Sequence, residues 1–82
     1  MTEEKLNYII GKNIKKYRKL YKNNNFNMTQ EKLAELINVS VALISSLESN
    51  KIKKGISINN LYRISVVLGV PIEKFMEDDE DE

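Results

Sequence analysis

The sequence predicts an all-α fold, and three features of its apolar residues and turn residues support this prediction. Between Met28 and Lys51, apolar residues recur at the spacing of two short helices joined by a tight turn. A longer stretch before them and a shorter one after them carry apolar stripes with the same spacing. Ser, Asn, Gly and Pro stand where these helices would begin or end. We therefore expect one compact domain of five helices within the 82 residues.

The first predicted helix runs from Thr2 to Lys22. Its apolar residues lie three or four positions apart and form one stripe: Leu6, Ile10, Ile14, Tyr17 and Tyr21. Six lysines lie mostly off this stripe, and for most of them a solvated face is the best interpretation. Residues 23–27 are rich in Asn, which favours turns over helix, so we predict a loop there. Phe26 in this loop either folds back onto the core or forms an exposed contact.

The next two predicted helices run from about Thr29 to Ile37 and from about Ser40 to Ser49. Their apolar positions are Leu33, Leu36 and Ile37 in the first and Leu43, Ile44 and Leu47 in the second. Asn38 tolerates the left-handed backbone of a sharp turn, and the Ser40 hydroxyl can cap the following helix. Ala34 is small where the helices must approach closely. Val39 is expected to lie between them as an apolar plug.

The fourth predicted helix runs from about Ser57, its N-cap, to Leu68. Its apolar face consists of Ile58, Leu61, Ile64 and Leu68. Gly69 ends it as a C-cap residue, and Pro71 suits the first turn of a short fifth helix. That last helix carries Ile72, Phe75 and Met76.

The composition excludes several kinds of function. The chain has no Cys and no His, so it has no disulfide, no thiol nucleophile, no common zinc site and no histidine general base. No apolar run approaches the length of a membrane span, and the N-terminus does not resemble a signal peptide. We expect a cytoplasmic protein without a cofactor or a bound metal, and not an enzyme.

The net charge of +1 conceals two regions of opposite sign. Residues 77–82 are six consecutive acids, so the rest of the chain holds 13 basic and six acidic residues, a net charge of +7. Residues 1–76 are therefore expected to form a basic domain, which suits DNA, although helix surfaces can also be rich in Lys for solubility alone. Residues 77–82 are expected to be a disordered tail. The tail either solubilises the protein, mimics DNA or contacts a basic partner such as polymerase.

The two short helices resemble the DNA-binding helix-turn-helix of the phage-repressor (Cro-like, Xre) family, with the motif at about 29–49. The matching residues are Thr29, Gln30, Glu31, Leu33, Ala34, Val39, Ser40, Ile44, Ser45, Leu47, Glu48 and Lys51. The resemblance extends to Ile14 and Arg18 before the motif and to Phe75 after it. It implies a lambda-repressor-like fold. It also implies an ion pair between Arg18 and Glu48 and a contact of Gln30 with a DNA phosphate.

The resemblance also implies which residues face DNA. Val41, Ala42 and Ser46, with Ser45 beside them, would face the base edges. They are poor in hydrogen-bonding groups, so direct readout would be weak and biased toward thymine methyls, with DNA shape adding specificity. Alternatively, the apolar start of this helix contacts a protein. The residues expected near phosphates, besides Gln30, are Asn50, Lys51, Lys53 and Lys54.

In the resembling family the C-terminal end of the domain often forms the dimer contact. The candidate residues are Tyr62, Val66, Ile72, Phe75 and Met76, although some of them can instead complete the monomer core. The leading interpretation is a sequence-specific regulator that binds double-stranded DNA as a homodimer. It would act as a small autoregulatory repressor or a restriction–modification controller-type protein. The alternative is a protein-interaction module with the same fold that binds a toxin or polymerase.

Overall fold

The computed structural model describes residues 1–23, 26–50 and 55–78, apart from the side chains of residues 22 and 23. Within these ranges the chain forms four α-helices, one pair of short strands and one 3-10 helix. The elements in chain order are α1 (Glu3–Leu20), β1 (Lys22–Asn23), β2 (Phe26–Asn27), α2 (Gln30–Ile37), α3 (Val41–Glu48), α4 (Ile58–Leu68) and the 3-10 helix (Ile72–Met76). None of the described helices has the length and the apolar character that a bilayer span requires. The all-α prediction is confirmed for the domain as a whole.

All four α-helices begin in the same way. The hydroxyl groups of Thr2, Thr29, Ser40 and Ser57 each accept a hydrogen bond, of 3.0–3.1 Å, from the backbone amide three residues later. Each side chain thereby satisfies one amide that has no partner within the helix, which contributes about 1 kcal/mol per cap. These caps fix the starts of the helices at the residues where the sequence predicted them, within one position.

Two of the helices end at residues with a left-handed backbone. Asn38 follows α2 with φ 59°, and Gly69 follows α4 with φ 68°. In both cases the next residue turns its amide back to the helix, Val39 to the Ala34 carbonyl and Val70 to the Ser65 carbonyl, each at 3.0 Å. The predicted turn between α2 and α3 and the predicted end of α4 are therefore confirmed.

The core joins all four helices and the 3-10 helix. Its buried members are Ile10, Ile14, Met28, Leu33, Ala34, Ile37, Ile44, Leu61, Ile64, Leu68 and Phe75. Most of them belong to the predicted apolar stripes. The ring of Tyr17 meets the ring of Phe75 edge-on, with centroids 5.3 Å apart, and so fastens the end of the domain to α1.

The prediction of a fifth α-helix is wrong, because Ile72–Met76 forms a 3-10 helix. Its bonds connect residues three apart, from the Lys74 amide to the Pro71 carbonyl and from the Glu77 amide to the Lys74 carbonyl. Five residues between extended ends are too few for cooperative α-helical bonding. Phe75 also departs from the predicted dimer set. Its side chain is 0% exposed and packs within the monomer, so it is not available to a partner.

The prediction of a loop at residues 23–27 is also corrected. Lys22 pairs with Asn27 and Asn23 with Phe26 in a short antiparallel ladder, while residues 24 and 25 lie outside the described part. The ladder consists of backbone pairing between residues 22–23 and 26–27. Amino-acid composition does not reveal such pairing. Phe26 packs edge-on against Tyr21, with centroids 6.4 Å apart, yet remains 39% exposed. Phe26 is not among the residues that pack against the core, so the structure favours the alternative of an exposed contact.

Three residues of the predicted apolar faces lie outside the core: Leu36 and Ile58 are exposed, and Leu43 is half-buried. Leu36 is 49% exposed and Ile58 is 65% exposed. Leu36 lies to one side of the line through Leu33 and Ile37 that α2 buries. Ile58 is the first residue of α4, one turn before the buried Leu61, and it projects beyond the packed helices.

The first two residues of the acidic run belong to the packed domain rather than to a free tail. The Glu77 carbonyl accepts a 2.8 Å hydrogen bond from the Asn13 amide, and Asp78 lies 3.5 Å from the Lys12 ammonium group. The prediction of a disordered tail therefore does not hold for Glu77 and Asp78. Residues 79–82 lie outside the described ranges.

Candidate nucleic-acid interface

Helices α2 and α3 pack closely around the turn that joins them. Ala34 is 3% exposed, and its small side chain permits this approach. Val39 is half-buried in the turn and packs against the core. Ile44 and Leu47 hold α3 from beneath, with 0% and 7% exposure. Ile44 and Leu47 therefore fix the inner face of α3 against the domain. The side chains on the opposite side of the helix form its outer face.

The outer face of α3 contains most of the residues that were predicted to face DNA bases. Val41 is 42% exposed, and Ala42 and Ser45 are also exposed. Because residues 41 and 45 are four apart, their side chains share one side of the helix. Ser46, the fourth predicted residue, is half-buried. The exposed residues of this face, Val41, Ala42 and Ser45, thus have small, uncharged side chains.

A buried ion pair connects the end of α3 to α1. The Arg18 Nε donates to Glu48 Oε2 at 2.7 Å, and its Nη2 donates to Glu48 Oε1 at 2.9 Å. The Arg18 side chain is 11% exposed and the Glu48 side chain only 3%. Two parallel charge-assisted bonds between planar groups restrict both distance and orientation. The pair has the partners that the family resemblance implied, and it sets the angle of α3 against α1.

The same network reaches the start of α2. The Gln30 Nε2 donates to Glu48 Oε1 at 3.0 Å, and the Arg18 Nη1 donates to the Met28 carbonyl at 3.0 Å. Both carboxylate oxygens of Glu48 therefore have donors despite their burial, as a buried charge requires. Gln30 therefore connects the start of α2 to the end of α3 through its hydrogen bond to Glu48. The Gln30 side chain is half-buried.

The segment after α3 begins with another left-handed residue. Asn50 has φ 56° and is exposed, while the hydroxyl group of Ser49 bonds back to the Ser45 carbonyl at 2.8 Å. Lys51, Lys53 and Lys54, which were predicted to contact phosphates, lie outside the described residues. The chain is described again from Gly55, where a side chain would collide with the Asn7 amide group of α1. Asn50 therefore directly follows the motif, whereas Gly55 lies against α1.

Two residues of α1 with close contacts did not emerge from the sequence, one against α3 and one against the C-terminal segment. Gly11 of α1 lies against the end of α3, so closely that an added Cβ would overlap the Leu47 carbonyl oxygen. Asn13 is 1% exposed, and its amide donates to the Phe75 and Glu77 carbonyls at 2.8 Å. A glycine in the middle of an amphipathic helix was the available signal for the first. A polar residue inside the buried arc of α1 was the signal for the second.

A second exposed apolar surface lies on α4. Ile58, Tyr62 and Val66 are four residues apart and are 65%, 60% and 61% exposed, so they form one stripe. Together with Ile72, the first two border an open groove that Asn59 and Arg63 also line. Ile72 is half-buried against the core and Met76 is 37% exposed. Four of the five predicted dimer residues therefore retain some accessible surface, and Phe75 does not.

Comparison with known proteins gives one match. The sequence model of the helix-turn-helix family matches residues 14–75. This range begins within α1 and includes α2, the turn, α3 and α4, and it ends in the 3-10 helix. No curated protein and no solved structure matches the chain.

Proposed function

The chain belongs to the phage-repressor-like (Cro/C1-type) helix-turn-helix family of DNA-binding transcription regulators, and from this premise we propose that it is a sequence-specific repressor. It binds double-stranded DNA as a homodimer and inserts α3 into the major groove. A role as an autoregulatory repressor or as a restriction–modification controller-type protein is part of this proposal.

The observation that carries this proposal is the contrast between the two faces of α3. Its inner face is anchored by Ile44, Leu47 and the paired Glu48, while Val41, Ala42 and Ser45 stand outward. A reading helix has to be rigid relative to its domain and open toward the groove, because bases are recognised only at fixed distances. Helix α3 meets both requirements.

The chemistry of the outer face determines what α3 can read. Val41 and Ala42 offer methyl groups, which suit the C5-methyl group of thymine, and Ser45 and Ser46 offer hydroxyl groups that bond to several bases. No Arg, Gln or Asn stands at these positions to form a bidentate contact with guanine or adenine. We therefore expect operators that are rich in thymine at the contacted positions. We also expect part of the specificity to come from the shape of uncontacted DNA.

Phosphate contacts would fix the register of the domain on DNA. The candidates are Gln30 at the start of α2, Asn50 after α3, and Lys51, Lys53 and Lys54. Helix starts attract phosphates through their outward backbone amides, and lysines hold them as point charges. Because such contacts release counterions, the affinity is expected to fall steeply as the salt concentration rises.

The α4 stripe of Ile58, Tyr62 and Val66 is the proposed dimer surface, with Ile72 and Met76 beside it. Exposed apolar residues in one continuous surface are typical of protein interfaces. A two-fold dimer would place its two α3 helices at half-sites about 34–36 Å apart, which is one turn of DNA.

Fluorescence anisotropy tests the proposed function. We would measure binding to the DNA upstream of the protein's own gene and to a scrambled duplex, each at several salt concentrations. Preferred binding to the upstream DNA with a steep salt slope is expected for an autoregulatory DNA-binding protein. Equal weak binding that hardly depends on salt would favour the second candidate, a protein-interaction module. The apolar start of α3 at Val41 and Ala42 gives that candidate its basis.

A negative charge on α3 should selectively impair DNA binding. Ala42→Glu is expected to weaken operator binding at least about tenfold, because the new carboxylate would face phosphates and base acceptors. Leu20→Glu is the matched control. Leu20 is 64% exposed and lies two residues beyond Arg18, which places it on the other side of α1 from α3. Similar losses in both variants would show that charge, and not the position of α3, determines the effect.

Self-association should depend on the α4 stripe. Val66→Glu is expected to raise the dimer dissociation constant at least about tenfold, because it buries a charge within an apolar contact. Sedimentation equilibrium measures this constant, and Leu20→Glu again serves as control, since Leu20 and Val66 are similarly exposed. Unchanged association of the Val66→Glu variant would locate the dimer surface elsewhere.

A further inference from the structure

The 3-10 helix is held in place differently from the four α-helices. Within the described part of the chain, no side chain caps its start at Pro71. Its end instead receives a donor from α1, because the Asn13 amide donates to the Phe75 and Glu77 carbonyls, each at 2.8 Å. A longer bond, of 3.4 Å, joins the same amide to the Lys74 carbonyl. Carbonyl groups at the end of a helix have no partner within it, so α1 supplies the donor that this segment lacks.

A second contact from α1 holds the same segment. The ring of Tyr17 meets the ring of Phe75 edge-on, with centroids 5.3 Å apart, and Phe75 is 0% exposed. Tyr17 is four residues after Asn13, so the two side chains project from the same side of α1. Asn13 is 1% exposed, and its bonds are therefore formed away from water. The 3-10 helix is thus fastened to α1 both by its backbone and by a core side chain.

A different side of α1 holds α3. Gly11 lies against the backbone of α3, and seven residues later Arg18 pairs with Glu48. Residues seven apart lie within about 20° of each other around a helix, whereas neighbouring residues are about 100° apart. Gly11 and Arg18 therefore form one line of contact along α1, and Asn13 and Tyr17 form another. The same stretch of one helix contacts both α3 and the 3-10 helix.

The 3-10 helix carries part of the proposed dimer surface. Ile72 borders the groove beside the α4 stripe, and Met76 is 37% exposed. The contacts through α1 therefore fix these two side chains relative to α3. In a two-fold dimer, the dimer surface determines where the second copy lies, and hence how far apart the two α3 helices are.

We propose that Asn13 and Tyr17 are positioning residues that set the separation of the two α3 helices in the dimer. They hold the 3-10 part of the dimer surface rigidly to the helix that also holds α3. The dimer therefore fits half-sites at one spacing and binds poorly at others. This inference rests on the proposed function, since it requires a dimer that binds DNA through α3. Neither residue contacts DNA in this account.

Hydrogen exchange tests the hold on the 3-10 helix without DNA. Asn13→Ala and Tyr17→Leu each remove one contact between this helix and α1. The amides of Lys74 and Glu77, which bond along the 3-10 helix, should then exchange at least about fivefold faster relative to the amides of α2. Ile37→Val is the matched control, because it weakens the core at a residue of α2 that is 2% exposed. It should leave this ratio within about twofold. The same ratio in all four proteins would overturn the proposal.

The spacing of half-sites tests the consequence for DNA. An operator selected from random duplexes would be compared with versions that have one base pair added or removed at the centre. Each change alters the separation of the half-sites by about 3.4 Å and their rotation by about 35°. The unmodified dimer should lose at least about tenfold in affinity, and both α1 variants less than about threefold. The folded fraction cancels from this ratio, because one protein sample is measured on both duplexes.

The control and the contrary result use the same ratio. Ile37→Val should retain the tenfold loss, because it leaves the contacts of α1 with the 3-10 helix in place. A tenfold loss in Asn13→Ala and Tyr17→Leu as well would overturn the proposal, since the α4 stripe would then set the spacing without them.

Failure of this inference can be distinguished from failure of the proposed function. Sequence-specific binding by a monomer, or by an unmodified dimer that tolerates the altered spacings, would overturn the inference and leave DNA recognition by α3 intact. Folded protein that prefers no DNA sequence would contradict the proposed function. The inference about spacing would then fall with it, even where hydrogen exchange shows the expected selective loosening of the 3-10 helix.

Discussion

Arg18→Ala should lower the free energy of unfolding by about 3–5 kcal/mol. The substitution leaves the Glu48 carboxylate, whose side chain is 3% exposed, with Gln30 as its remaining side-chain donor among the residues that the structure describes. It also removes the donor to the Met28 carbonyl. Since small domains are stable by only about 5–15 kcal/mol, this loss is a large share of the total. Urea denaturation followed by circular dichroism measures it.

Two further variants separate the possible causes of this loss. Lys19→Ala removes an exposed charge from the neighbouring position and should change stability by less than about 0.5 kcal/mol. Arg18→Met combined with Glu48→Leu removes both charges and should recover part of the loss, because no charge remains buried without its partner. A change of less than about 1 kcal/mol in Arg18→Ala would show that the pair does not stabilise the fold.

Loss of the ion pair should lower DNA binding because less of the protein is folded, and not because base recognition changes. Arg18 and Glu48 are turned inward and do not belong to the outer face of α3. The ratio of operator affinity to random-duplex affinity should therefore stay within about threefold of the original in Arg18→Ala, measured where the variant is still folded. A loss of this ratio with stability unchanged would assign Arg18 to base recognition instead.

Gly11→Ala should lower the free energy of unfolding by about 1–3 kcal/mol, although alanine favours helix over glycine by about 1 kcal/mol. The added methyl group would overlap the Leu47 carbonyl oxygen, which belongs to the backbone of α3 and cannot rotate away. Helices α1 and α3 would have to separate. That movement would also strain the bonds between Arg18 and Glu48.

Chemical denaturation measures this effect, and Lys15→Ala serves as the control. Lys15 is exposed on the same helix, and Lys and Ala have similar helix propensities, so the control should change stability by less than about 0.5 kcal/mol. Increased stability of Gly11→Ala would show that α1 and α3 are not in such close contact in solution.

The sequence predicts the helix-turn-helix well because its signals are local. Ser40 and Ser57 cap helices through bonds to residues three positions away, and Asn38 and Gly69 end helices through their own backbone conformations. Such features depend on a few adjacent residues, so a pattern of residue types reveals them. The partnership of Arg18 with Glu48 connects distant residues, and only the resemblance to a family suggested it.

The features that the sequence missed depend on contacts between distant segments. Gly11 matters because Leu47 lies against it, and Asn13 because the C-terminal carbonyls converge on it. An apolar residue such as Phe75 suits both a core and a dimer surface, so hydrophobicity alone could not distinguish these two locations. Its burial follows from the packing of the 3-10 helix against α1 and from the edge-on contact with Tyr17.

Selection from a pool of random duplexes tests sequence-specific DNA binding most directly, because it requires no assumption about where the operator lies. The protein would be incubated with the pool at moderate salt, and the bound duplexes would be amplified and sequenced. We expect an enriched two-fold symmetric site, with thymine-rich half-sites about 10–10.5 base pairs apart, that Ala42→Glu fails to enrich. A pool that shows no enriched sequence after repeated rounds, from protein that is demonstrably folded, would contradict the assignment of α3 as a DNA-reading helix.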